Sequence, residues 1–562
     1  MIDPQNDKYA KQIVYHLMQQ GVRRVCISPG SRSTPLAYAF SQEEELEKLV
    51  HFDERGTGFY AYGYAKGSKT PVALLVTSGT AVANLFPAIM EAFEDEVPLI
   101  VITADRPPEL KECGANQTSD QVKIFGDHVR WYFEIPCPDQ AIPDGFIGST
   151  IAQAVYRATQ SPKGPVHLNC LFREPFLSEY EGESLPSTHY EPTHHTLSTH
   201  SIEQWAKKLS SCERGVIIAG SMSSSRSLKS IFALAELLDW PILPDIISGL
   251  RSEGLHHNVI PYYDMVLKLV PHFRPDCILH FGDRLVSKPL LQWMKQTAPQ
   301  IYAMVADHPK RHDATHTLTH RIQTDPTVFC EQLLPWIPRR VSWLNNWKVL
   351  SQVIEGHVDE FIPPASEPGL IRFLQHHLPP HYSLFFANSM PIRDGDQFFF
   401  PRFHRGPIYG KRGTSGIDGN IATIVGIAEG TQRPILAVIG DLTALHDLNS
   451  LALLQKCKVP VILLVVNNQG GGIFSFLPIS QKKEIFEEYV AGNHPWQFED
   501  AAKMFHLPYL SMTDPSQLTR ILREEKSVLI ELKTNRAENR TLHLSIEEKI
   551  KEKIQALAYA VN

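Results

Sequence analysis

The sequence predicts an α/β chain with parallel sheets flanked by helices, and the reading rests on rhythm, length and two interruptions. Short β-rich runs at 72–76, 99–103, 216–219, 301–305, 435–439, 461–466 and 528–532 alternate with helical stretches. That alternation means parallel sheets covered by helices. The chain has 562 residues, 43% of them hydrophobic, enough to bury several cores, and its length sets an expectation of about three to four domains.

The rhythm breaks twice. Residues 181–200 are polar and rich in Pro, Ser, Thr and His, and Pro338, Pro363, Pro364 and Pro368 cluster farther on. Both stretches read as linkers bounding a middle domain, which gives expected domains at 1–180, 200–340 and 360–562. His189, His194, His195 and His200 lack an accompanying Cys, Asp or Glu pattern, so a solvated linker is expected there rather than a metal site. Near the C-terminus, Ser545 with Glu548 forms a capping-box pattern, and Ile546, Ile550, Ile554 and Leu557 follow at helical spacing. This is a packing helix.

Charge and cysteine usage narrow the class. A net charge of -7 argues against a nucleic-acid binder, whose phosphate contacts call for a basic surface, and favours small-molecule partners. The chain opens Met1-Ile2-Asp3-Pro4 with no basic-then-apolar leader, and apolar runs such as 459–466 are too short to span a bilayer. A cytoplasmic protein without an integral membrane segment is expected. Eight cysteines (Cys26, Cys113, Cys137, Cys170, Cys212, Cys277, Cys330, Cys457) are scattered with no C-x-x-C, so buried free thiols are expected rather than disulfides or a zinc site.

Two strand ends carry chemistry. The run 435–439 leads into Gly440-Asp441, and the run 461–466 into Asn467-Asn468-Gln469-Gly470. Open α/β sheets bind ligands at these carboxyl ends. Magnesium takes hard oxygen ligands and is usually held by one or two protein groups together with phosphates. Asp441, the Asn468 amide oxygen and the Gly470 carbonyl suit such an ion, and Gly470 to Gly472 allow close backbone approach. Alone, either half is an ordinary turn or loop. Together, Gly-Asp and then Asn-Asn after a gap of 24 residues (443–466, following Leu442) resemble the thiamine diphosphate motif of the pyruvate-decarboxylase and acetohydroxyacid-synthase superfamily. Leu442 stands where that superfamily usually has Gly.

The resemblance implies a three-domain thiamine diphosphate-enzyme architecture: a pyrimidine-binding domain, a middle domain and a diphosphate-binding domain. It implies thiamine diphosphate and Mg2+ (or Mn2+) as cofactors, with Asp441, Asn468 and Gly470 on the metal. The active site of such enzymes lies between subunits, so a homodimer or homotetramer is expected. Thiamine diphosphate becomes nucleophilic when its thiazolium C2 loses a proton to the aminopyrimidine, and a carboxylate on the pyrimidine nitrogen drives that shift. The superfamily places this Glu at a helix start after a strand in the first domain, where Asp53-Glu54-Arg55-Gly56 stands, making Glu54 the catalytic candidate. Taken alone, Glu54 also reads as a helix-entry carboxylate favoured by the dipole.

Three strings narrow the branch: Ser28-Pro29-Gly30-Ser31-Arg32-Ser33-Thr34-Pro35-Leu36, Thr103-Ala104-Asp105-Arg106-Pro107-Pro108-Glu109-Leu110 and Lys411-Arg412-Gly413-Thr414-Ser415-Gly416-Ile417-Asp418-Gly419. With 114–117 and 164–169 they are similar to the menaquinone-biosynthesis carboligases of the superfamily. That similarity implies a transferase that decarboxylates 2-oxoglutarate and adds the succinyl carbanion equivalent 1,4 to isochorismate. Both substrates are dianionic, and Arg binds carboxylates bidentately. Matched residue by residue, Ser31, Arg32, Arg106, Asn116, Gln117, Lys288, Arg393, Arg412, Phe474 and Leu477 fall at substrate positions. Glu54, Ser389, Ile417, Asp441, Asn468 and Ile473 fall at cofactor positions, with Ile417 as the aliphatic wedge beneath the bent cofactor. For any single Arg the other reading is an ion pair, and for Phe474 or Leu477 it is core packing.

Three alternatives compete. A pyruvate- or benzoylformate-type decarboxylase commonly uses histidines to protonate its product, and no His pair occurs within 105–125. An acetohydroxyacid-synthase-like carboligase often binds flavin in its middle domain, but the run 215–220 leads into a Ser-rich stretch without a dinucleotide fingerprint. A non-catalytic thiamine diphosphate sensor would lose Glu54 and the arginines, and all are present.

Overall fold

The computed structural model describes residues 5–174, 176, 186–222, 227–403 and 405–560. Each of the seven β-rich runs is a strand, and the strands form three sheets in which every pairing is parallel. The first sheet runs Glu47–Val50, Arg24–Ile27, Val72–Val76, Leu99–Asp105, Val166–Leu171, Tyr132–Ile135. The second runs His320–Gln323, Ile301–Ala306, Cys277–Phe281, Gly215–Ala219, Ile242–Pro244. The third runs Ile408–Tyr409, Ser383–Phe386, Ile435–Gly440, Val461–Asn467, Val528–Lys533, Tyr509–Met512. In chain order, the first and third sheets share one sequence of strands: second, first, third, fourth, sixth, fifth. One architecture therefore occurs twice in the chain.

The two outer sheets meet through helices Glu54–Ser68 and Asn420–Thr431. Their contact is made at backbone level, because a Cβ on Gly63 would lie 2.2 Å from the Thr423 carbonyl oxygen and one on Gly426 would lie 2.3 Å from that of Tyr60. Asp53 caps the first helix by accepting from the Arg55 and Gly56 amides.

Asp447 lies buried beside this contact, accepting from the Ala422 amide at 2.9 Å and from the Ser450 hydroxyl at 2.7 Å. Burial raises its carboxyl to about 6 from an ordinary 3.8, against the lowering effect of those hydrogen bonds. Between these values the unfolded chain has released the proton that the folded chain still holds, so stability falls as pH rises from about 4 to about 6. Urea titrations are expected to show this decline in the wild type and a flatter profile in Asp447→Asn. Parallel pH profiles would refute the assignment.

Two expectations from sequence are corrected. The Pro-flanked stretch after 338 is no open linker: helix Leu344–His357 buries Leu344, Trp347, Ser351 and Ile354. These positions recur every three or four residues, and Trp347 packs with Trp293, Trp343 and Phe273 in the core that also holds Leu384 and Ile462. The C-terminal helix begins at Arg536, not at Ser545, and the Asn535 side chain caps it by accepting from the Ala537 and Glu538 amides. Ser545 is an interior position because buried His543 and half-buried Leu542 already belong to the helix. Ile546 and Ile550 are fully buried, and the Leu557 side chain lies outside the described residues.

In the first linker, residues 181–185 lie outside the described residues, while 186–198 carry no regular structure and expose all four histidines up to His200. All eight cysteines are free; six are buried, Cys457 is partly so, and Cys113 is exposed, contrary to expectation. Among the described residues no helix is long and apolar enough to cross a membrane.

Candidate active site

The third sheet reverses strand order between Ser383–Phe386 and Ile435–Gly440, so the chain leaves these neighbouring strands in opposite directions and opens a crevice at their carboxyl ends. A cavity of about 320 Å³ occupies it. Nine of the residues singled out from sequence line it: Ser389, Arg393, Arg412, Ile417, Asp441, Asn468, Gly470, Ile473 and Phe474. A larger cavity, about 1130 Å³, opens around Lys66, Lys163, Ile247 and Arg405. Size does not make it the site, since Asp441, Asn468 and the arginines singled out from sequence do not line it and its Lys66 is already paired with Asp95.

Asp441 is 2% exposed. Its Oδ1 accepts from the Leu442 amide at 2.6 Å and its Oδ2 from the Gly470 amide at 2.9 Å, with His494 Nε2 at 3.4 Å. Burial pushes this carboxyl above its ordinary value, against those amides. An ionised carboxylate so enclosed calls for a nearby cation. Asn468 Oδ1 is buried and has no hydrogen-bond partner among the described residues. Gly470 has φ +141° and leaves no room for a side chain, whose Cβ would sit 2.7 Å from the Ala491 carbonyl oxygen. A buried carboxylate, an orphaned amide oxygen and a close backbone are hard oxygen donors that fit Mg2+ or Mn2+ on a diphosphate.

The opposite wall is cationic. Arg393 donates to the Ser389 carbonyl at 2.6 Å, and Arg412 donates to Asn388 Oδ1 at 2.8 Å. Neither guanidinium forms an ion pair among the described residues. Burial lowers the pKa of both, and Arg412 lowers that of Arg393 further. Asp245 and Glu91 near Arg412, and Asp394 and Asp396 near Arg393, offset this lowering in part without reaching ion-pair distance among the described residues. Two desolvated guanidiniums with no directly paired carboxylate form a locus for an anion. Ser389 itself sits at φ +74°, ψ -129°, a conformation that non-glycine residues rarely adopt and that clusters at functional sites.

A second group lies at the matching edge of the first sheet. Arg106 donates to Ser78 Oγ and, at 2.7 Å, to the Asn116 carbonyl, while the Gln117 amide donates to the Ser78 carbonyl at 3.0 Å. Arg32 is buried, donates to the Phe172 carbonyl at 3.0 Å and lies 3.6 Å from the exposed carboxylate of Glu174. Burial, then Arg106, lowers its pKa. Ser31 is exposed on the same loop. Glu54 is half-buried at its helix start. Within one chain Glu54 does not line the Asp441 cavity; Arg55 beside it reaches the His446 carbonyl at 2.9 Å instead.

Lys288 and Leu477 stand apart. Lys288 is exposed at the start of helix Lys288–Thr297. Leu477 is 40% exposed, turned out after Gly472–Phe476 by the bond from its amide to the Phe474 carbonyl.

Sequence reading missed two residues that shape the cavity. Asn388 donates to the Lys411 and Gly416 carbonyls, both at 2.9 Å, and so closes the loop carrying Arg412 and Ile417. Its position just past a strand end was the available signal. Glu91, fully buried in helix Phe86–Glu94, accepts from the Gly413 and Thr414 amides at 2.7 Å each and the Thr414 hydroxyl at 2.6 Å. Nothing local in the sequence marks it, because its partners lie more than 300 residues away.

Residues 7–124 match the family model described as thiamine pyrophosphate enzyme, N-terminal TPP binding domain. Residues 175–386 match the middle domain of thiamine pyrophosphate, and 397–532 the thiamine pyrophosphate enzyme, C-terminal TPP binding domain. The 2-succinyl-5-enolpyruvyl-6-hydroxy-3-cyclohexene-1-carboxylate synthase of Rubrobacter xylanophilus is 40% identical, with 96% of this chain and 97% of that protein covered. The chain belongs to this synthase family. Another member, from Salinibacter ruber, is 38% identical, with 99% of this chain and 98% of that protein covered. The synthase fold is shared more widely: the crystal structure of benzoylformate decarboxylase from Polynucleobacter necessarius superposes with a TM-score of 0.74, covering 94% of this chain and 98% of that one at 17% identity.

Proposed function

We propose that the protein makes the product its relatives are named for. It decarboxylates 2-oxoglutarate on thiamine diphosphate and adds the remaining four-carbon unit 1,4 to isochorismate, releasing carbon dioxide, in menaquinone biosynthesis. The observation that carries this reading is one cavity that unites a hard-oxygen donor set with two desolvated arginines that, among the described residues, hydrogen-bond only to neutral groups. When bound, thiamine diphosphate supplies a carbon nucleophile and delocalises the electrons left by loss of carbon dioxide.

The residues divide the task by position. Asp441, Asn468 and the Gly470 carbonyl would hold Mg2+ or Mn2+ against the diphosphate, and Ser389, Ile417 and Ile473 would border the cofactor. Arg393 and Arg412 bind substrate carboxylates, and Phe474 and Leu477 give the apolar side. Ser31, Arg32, Arg106, Asn116, Gln117 and Lys288 contribute from the first and middle domains. The Glu54 carboxylate holds a proton at the pyrimidine nitrogen.

Because Glu54 lies outside its own chain's cavity, we read the enzyme as a cytoplasmic homodimer, or a tetramer of paired dimers, with Glu54 of the partner subunit completing each site. Exposed Val50, Phe52 and Val122 on the first domain and Tyr489 and Trp496 beside the third sheet support such pairing. We read the domains as 1–180, 200–340 and 360–562, each holding one sheet.

Purified protein with thiamine diphosphate, Mg2+ and 2-oxoglutarate is expected to consume isochorismate in step with carbon dioxide release. Release of succinic semialdehyde with isochorismate untouched would replace this reading with a simple decarboxylase. Arg393→Ala and Arg412→Ala are each expected to weaken one substrate chiefly, since losing a desolvated charge contact costs about 2 to 5 kcal/mol, at least about 30-fold in kcat/KM. Steady-state kinetics with each substrate varied in turn check this, and unchanged constants remove that arginine from the site.

A further inference from the structure

Asn468 offers two ends to its surroundings, an oxygen that accepts and an NH2 that donates, and only the oxygen can ligate a metal. The cavity contains a group that selects between them. Asn468 Nδ2 donates to Glu367 Oε1 at 3.3 Å. The same oxygen accepts from the Thr534 hydroxyl at 2.7 Å. Glu367 opens helix Glu367–His377, is 5% exposed and lines the cavity with Asp441. With the NH2 so engaged, Oδ1 is left buried and without a partner among the described residues. The main chain is fixed as well, since Arg536 Nε donates to the Asn468 carbonyl at 3.1 Å.

We propose that Glu367 is a positioning residue that turns the Asn468 amide oxygen toward the metal. In the reversed amide, Oδ1 would face Glu367 Oε1, setting acceptor against acceptor, while the NH2 would point at the cation. Both Thr534 and Asn468 donate to a single oxygen, so the selection depends on an acceptor at that point rather than on a charge. Glutamine can supply that acceptor; alanine cannot.

This inference rests on the metal-site reading above, and its test separates the two. Mg2+ is titrated into full-length protein saturated with thiamine diphosphate, and its dissociation constant is read by calorimetry. Glu367→Ala is expected to weaken Mg2+ roughly 10- to 100-fold, as loss of an outer partner of a metal ligand does. Glu367→Gln is expected to stay close to wild type, and Thr534→Val to lose part of the affinity. Wild-type affinity in Glu367→Ala, or a loss in Glu367→Gln as large as in Glu367→Ala, overturns the proposal. If Glu367→Ala does not fold, wild-type affinity in Thr534→Val or a large loss in Glu367→Gln overturns it. Asp441→Ala serves as the reference: unaffected Mg2+ binding there refutes the metal site itself.

Discussion

Asp441→Ala is expected to lose Mg2+-dependent binding of thiamine diphosphate, with the metal weakened by more than the roughly 100-fold upper range for outer-sphere partners. The variant removes a direct oxygen donor from a small set, and also the acceptor that holds the Gly470 amide at 2.9 Å. The Gly470 carbonyl would then drift from the metal position, so two donors fail together. Asp441→Asn keeps the volume and one oxygen and is expected to fall between the two. Calorimetric titration of cofactor with and without Mg2+ checks this, and chelation should release cofactor from the wild type. Retained metal-dependent binding in Asp441→Ala would remove Asp441 from the site.

Glu54→Gln is expected to leave cofactor and Mg2+ binding near wild type while turnover drops roughly 10²- to 10⁴-fold, the range for losing a general acid–base group. The exchange preserves volume, and Asp53, not Glu54, caps the helix. Activity and cofactor affinity measured on one preparation separate the roles; equal activity sinks the assignment. The subunit arrangement adds a second check. Mixed in equal amounts under subunit exchange, inactive Glu54→Gln and Asp441→Ala chains should regain about a quarter of wild-type activity, because a mixed twofold dimer has one intact site of two. No recovery would place both residues in a site built by one chain.

The parts legible in the sequence were those whose cause is local. Apolar runs such as 461–466 have one stable fate, a strand covered on both faces, and the structure extends that strand only to Asn467. Gly440-Asp441 and Asn467-Asn468 were readable because their spacing and strand ends are sequence properties. Leu344–His357 was masked by prolines that flank the helix without entering it. The capping pattern at Ser545 was genuine as a pattern but arrived where the helix was already under way. Glu91 and Glu367 act through partners separated from them by 322 and 101 residues, and such pairings appear only once the sheets are assembled. The shared strand order of the outer sheets was hidden because topology leaves no periodic mark on residues.

Helices Glu54–Ser68 and Asn420–Thr431 touch main chain to main chain at Gly63 and Gly426, with no flexible side chains between them. Such a joint is stiff: sliding one helix along the other by even an ångström would drive carbonyl oxygens into Cα atoms. Hinge motion between the outer domains of one chain is therefore suppressed. Opening and closing for substrate entry must fall to loops rather than to a swing of one outer domain against the other. The two outer domains of the chain are coupled as one stiff unit at this joint.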